Sequence, residues 1–127
     1  MQWEIGFSQD HPLMTIRAWG PAALQGFVDY LTQALADPRW KPQIQVLLDF
    51  RELDLATVSS DDMRRLVSFQ RPLKESLSPG KLALVVGRPV DFGMARMWEV
   101  LSSEIGLTQG VFYSLEEAFD WLKRHQA

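Results

Sequence analysis

Two short runs constrain this chain more than any other feature: Val46-Leu47-Leu48 in "IQVLLDF" and Leu82-Ala83-Leu84-Val85-Val86 in "KLALVVG". A strand with one wet face alternates apolar and polar side chains. A run that is apolar at successive positions therefore belongs to a strand covered on both faces. The covers are visible as helical stripes. Leu24, Phe27, Val28, Leu31 and Leu35 recur at helical spacing before the first run, and Asp37-Pro38 closes that helix. Between the runs, Ser59-Ser60-Asp61-Asp62 opens a second helix with hydroxyls and carboxylates that suit its positive end. Its Met63, Leu66, Val67 and Gln70 share one side, three of them apolar, and Pro72 interrupts it before a turn at Ser78-Pro79-Gly80. Met94, Met97, Trp98, Leu101 and Ile105 predict the core face of a third helix, introduced by the turn at Gly87 and Pro89. Ser114 and Glu117 have capping-box spacing for a last helix, in which Leu115, Ala118, Phe119 and Leu122 form the stripe with Trp121 beside it.

Two further runs, "WEIGF" and "LMTIRAW", flank the polar turn "SQDHP" and read as a hairpin-like pair. Met14, Ile16 and Ala18 are the expected buried face, opposite Leu13, Thr15, Arg17 and Trp19. Gly20-Pro21 is expected to stop this strand and open the first helix, with proline in the first turn. "GVFYS" is a fifth strand. The order is β-β-α-β-α-β-α-β-α across one domain, 1–127. It implies an α/β fold with a mixed, mostly parallel sheet, right-handed crossovers and an antiparallel edge pair.

Composition narrows the function classes. At 127 residues and 46% hydrophobic the chain can bury a core without staples, and it has no cysteine for a disulfide, a thiol nucleophile or a thiolate metal site. A net charge of −3, with Arg64, Arg65, Arg71 and Lys74 interrupted by apolar residues, argues against nucleic acid. No apolar run approaches the roughly 18–20 residues of a membrane span. The first ten residues lack a secretion signal. The expectation is a cytoplasmic protein without membrane insertion.

Four local features occur in order along nearly the whole chain: the strand-Gly-Pro entry to the first helix, "ADPRWKP", "VLLDFRELD", and "FGMARMWEVL" ahead of "FYSLEEAFDWL". With them the chain resembles the SpoIIAA-like branch of the STAS superfamily, the STAS/SEC14-like domains. The resemblance implies the fold. It implies little about activity, since many members of the branch have none assigned and fold does not determine function. STAS domains that antagonise anti-sigma factors carry a phosphorylatable serine where the third strand meets the second helix, in a pattern like Asp-Ser-Ser-Gly. Here that region reads "DLATVSSDDM". Ser59 and Ser60 are the candidate positions, but Val58 precedes them and Asp61 replaces the glycine. Asp61 and Asp62 would repel a phosphate carrying about −1.5 to −2 charges. Helix capping is the preferred reading of both serines.

Ligands of open α/β sheets tend to sit beyond the carboxyl ends of parallel strands. There the third strand delivers Asp49 and Arg51, then Ser59, Ser60 and Asp61, and the fourth delivers Gly87, Arg88 and Asp91. These residues are the candidate ligand or partner surface, although Asp49 and Arg51 also suit a local ion pair. Arg88 beside a helix N-terminus suits an anion. Both glycine-rich phosphate loops are absent, however, and Asp91 competes as a helix-start carboxylate. Asp91-Phe92-Gly93 matches a kinase tripeptide without any other kinase segment. His11 and His125 suggest neither a triad nor a metal cluster, so no catalytic residue, metal or cofactor is expected. Trp40, between Pro38 and Pro42, reads as a packing lid rather than a partner anchor.

The functional expectation is a non-enzymatic interaction or regulatory module, with an unknown protein partner or a second copy covering a sheet edge. The alternative is a carrier or sensor of an apolar or anionic small molecule, held between the sheet and the third helix. Met94, Met97, Trp98 and Arg88 motivate it, as does the SEC14 side of the resemblance.

Overall fold

Five strands form one sheet in the order β1-β2-β3-β4-β5. The computed structural model describes residues 1–9, 12–77 and 80–124. His11, His125 and the Ser78-Pro79 part of the predicted turn lie outside the described residues. β1 (Gln2–Phe7) runs antiparallel to β2 (Leu13–Pro21). β3 (Gln45–Asp54), β4 (Lys81–Val86) and β5 (Thr108–Phe112) continue the sheet in parallel. The α/β order holds, with one addition. After α1 (Leu24–Ala36) and α2 (Ser60–Gln70), Pro72 sits in a 3-10 turn that leads to a short α3 (Lys74–Leu77). α4 (Pro89–Leu101) and α5 (Leu115–Arg124) follow.

Each crossover advances the sheet by one strand in the same direction, so right-handed connections put α1, α2 and α4 on one face. Met14, Ile16, Val46, Leu48, Phe50, Leu84 and Val86 lie under them. α5 covers the other face, over Leu13, Leu47, Ala83 and Val85, with its own Ala118 and Leu122 buried there. This double cover is why β3 and β4 are apolar at consecutive positions.

Two local expectations need correction. β2 runs on through Gly20 and Pro21, which pair with Leu53 and Asp54, and α1 starts only at Leu24. Trp19 is the last β2 residue paired to β1, so a missing N–H at Pro21 falls where one side of the strand has no neighbour. Gly20 takes a left-handed φ of 88°, a conformation that favours glycine. The predicted α4 stripe is also rotated. Ala95 and Asp91 are its buried residues, Met94, Trp98 and Leu101 are half-buried, and Met97 is 41% exposed. Asp91 turns the helix this way because its carboxylate has partners at the sheet edge. Ile105 is buried, but from a 3-10 turn beyond the helix. Trp40 is half-buried and donates from Nε1 to the Ser76 carbonyl at 3.2 Å, as a lid over the core.

Candidate functional site

The charged residues at the strand ends form separate, internally satisfied groups. β4 ends at Val86, and Gly87 passes so close to β3 that a Cβ there would lie 2.5 Å from the Arg51 carbonyl oxygen. Arg88 follows in extended conformation at the N-cap of α4. Its guanidinium reaches both Asp91 oxygens, at 2.8 and 3.0 Å, and the Asp54 carboxylate at 2.6 Å. Asp91, fully buried, also accepts from the Leu55 N–H at 2.9 Å. Asp91 therefore does not cap its own helix, as a helix-start carboxylate would. It fastens α4 to the turn after β3, because that turn has a backbone donor in need of an acceptor. Hydrogen bonds to Asp91 and then Asp54 raise the Arg88 pKa further above its usual value, and Arg88 in turn holds Asp54 below the usual carboxylate range.

Asp49 and Arg51 form their own two-pronged pair, at 2.8 and 2.9 Å, and that bond holds Asp49 below its usual range. Ser59 caps α2. Its hydroxyl accepts from the Asp62 N–H at 3.0 Å, and the Asp62 carboxylate accepts from the Ser59 N–H at 3.2 Å. Ser60 receives Arg64 at 3.5 Å, and Asp61 pairs with Arg65 at 3.1 Å on the exposed side of the helix. Of the predicted surface, the structure joins Arg88 to Asp91 and Asp49 to Arg51. Among the described residues no hydrogen bond or ion pair links these two pairs or ties either to Ser59, Ser60 or Asp61.

Empty space lies elsewhere, under the helices. A cavity of about 80 Å³ separates the sheet from α1, α2 and α4, with Phe27, Leu48, Leu66, Leu84, Ala95 and Trp98 among its walls. A second, of about 50 Å³, adjoins it toward Trp40 and Ile44, and the two share Tyr30, Leu48, Gln70, Leu82 and Leu107. Tyr30, Phe27 and Phe50 form an aromatic wall with ring centroids 5.9 to 6.4 Å apart. Burial raises the Tyr30 pKa, so its hydroxyl stays protonated. Gln70 is 9% exposed, and its Oε1 is buried without a hydrogen-bond partner among the described residues. Gln70 was not a predicted site residue. Its signal was the one polar side chain on the apolar stripe of α2.

Among the described residues no group of His, Asp and Glu side chains could hold a metal ion, and no helix is long and apolar enough to cross a membrane. No protein-family model matches the sequence, and no curated protein matches it. One similar solved structure is an uncharacterised DUF3478-family protein with a SpoIIAA-like fold from Shewanella loihica PV-4. It is 20% identical, with a TM-score of 0.62 over 95% of this chain and 92% of that one. The chain has the SpoIIAA-like fold that its sequence implies.

Proposed function

We propose that the chain is a non-enzymatic binding module that takes a small apolar molecule between the sheet and helices α1, α2 and α4. The cavity of about 80 Å³ carries this reading. Close-packed interiors leave few voids larger than a water molecule, and apolar voids of about 150 Å³ are known to stay dry and admit benzene. Here two mostly apolar cavities share five lining residues, and half-buried Met94 and Trp98 of α4 line the larger one. Met is adaptable enough to repack around a guest. The strand-end charges support the same choice, since Arg88 is already engaged by two carboxylates. Titration with cyclopentane, followed by methyl NMR, is the test. Saturable shifts at Met63, Leu66, Leu84 and Met94 are expected, and their absence would refute the reading.

A second reading, association with another copy of this chain, is favoured by the outer face of α4. Val90, Met97 and Val100 are 49, 41 and 74% exposed there, and Tyr113, at 51%, stacks on Phe92 beside them. Arg96 and Glu99 border the stripe, 3.4 Å apart. Two antiparallel copies of α4 would therefore oppose unlike charges across an apolar seam. Light scattering should give a dimer that Met97→Glu dissociates. A monomer at all micromolar concentrations refutes it.

A further inference from the structure

Gln70 lies where the two cavities meet and lines both. Its Oε1 is buried and unpaired among the described residues, within walls that are otherwise nearly all hydrocarbon. A buried carbonyl without a partner is costly, and native proteins leave few of them. Tyr30 also lines both cavities, and its hydroxyl is neutral. Among the described residues, the only charged groups lining the cavities are half-exposed, Asp62 in the larger and Lys81 in the smaller.

We propose that the ligand is a small neutral molecule, apolar in body, whose single hydroxyl or amide N–H donates to Gln70 Oε1. This rests on the cavity being the ligand site. An ionised carboxylate or phosphate head has no proton to give that oxygen, and no buried cation stands ready to neutralise it. A plain hydrocarbon fills the space but leaves the oxygen unpaired.

The test compares cyclopentane, cyclopentanol and cyclopentanecarboxylate by methyl NMR titration of the wild-type chain and of Gln70→Met. The ratio of cyclopentanol to cyclopentane affinity is expected to fall roughly three- to tenfold in the variant, the worth of one hydrogen bond. Gln70→Leu repeats the comparison with a second side chain. An unchanged ratio overturns the proposal while leaving the cavity as an apolar site. So does tighter binding of the carboxylate than of the alcohol. If neither cyclopentane nor xenon binds wild type or variant, the cavity reading itself fails, and this inference with it.

Discussion

Gln70→Met is expected to make the protein more stable. Gln70 is the last residue of α2, with its Oε1 buried and unpaired. Withdrawing a carbonyl from water without a replacement hydrogen bond costs about 1–3 kcal/mol. Met is of similar length and unbranched, with nearly the same helix propensity and similar rotamer freedom. Backbone and entropy terms therefore cancel, and what remains is the removed penalty plus a thioether set among Leu48, Leu66 and Leu82. Met is slightly larger, and the cavities that Gln70 lines have room for the excess, so overpacking is not at issue. With a urea m-value of about 1–3 kcal/mol/M, the denaturation midpoint should rise by on the order of 1 M at unchanged m. An unchanged or lower midpoint refutes the reasoning, because the amide would then be satisfied in solution by a group that fills the cavity. A core position that lowers stability in this way is what a binding site needs, since activity and stability draw on the same residues.

Further perturbations follow from the strand ends. Asp91→Ala orphans the Leu55 N–H and should cost about 1–3 kcal/mol in urea unfolding. Arg88→Ala should destabilise more, because it strands a fully buried carboxylate, and adding Asp91→Ala should recover stability. A double variant showing the sum of both losses contradicts the network. Gly87→Ala puts a methyl 2.5 Å from the Arg51 carbonyl, against backbone that cannot swing aside. A loss of about 1–3 kcal/mol is expected from such crowding, and an unaltered melting temperature would mean that β3 and β4 separate freely there. Arg51 lowers the Asp49 pKa in the folded state, so the pair's stabilisation is full above the unfolded value of about 3.9 and is lost as pH falls through the folded one. Wild type should exceed Asp49→Asn in stability at pH 7, with the gap closing below about pH 4. A gap independent of pH removes Asp49 from the account.

The sheet was legible because double cover writes itself into β3 and β4 as unbroken apolar runs, whereas a one-residue choice such as Gly20-Pro21 was not. A Gly-Pro pair serves equally as a strand end or a helix entry, and the tie is broken by pairing with Leu53 and Asp54, more than thirty positions later. The α4 stripe misled for a related reason. Periodicity finds an apolar face, but the pull of the Leu55 N–H and Arg88 on Asp91 set which side turned inward. Arg88 and Asp91 stand three apart, so their pairing was within reach of sequence, while the Asp54 and Leu55 partners come from another strand end. Gln70 showed as a polar residue at a core position. That it stays unpaired and fronts a cavity depends on three helices converging over the sheet, which no local pattern records.

That difference between paired and unpaired polar groups also favours the proposed cavity site over the strand ends. The strand-end residues have the chemistry of a site, yet each of Asp49, Arg51, Arg88 and Asp91 is held by a partner within the chain. An arriving anion would compete there with carboxylates already hydrogen-bonded to Arg51 and Arg88. Gln70 presents the reverse case. Its Oε1 is buried without a partner among the described residues, so a guest that donates one hydrogen bond there relieves a penalty. A binding energy that comes partly from relieving strain in the empty protein is also measurable without knowing the natural ligand. It predicts that cyclopentanol, at equal free concentration, raises the unfolding midpoint of wild type more than that of Gln70→Met, because the variant binds it more weakly.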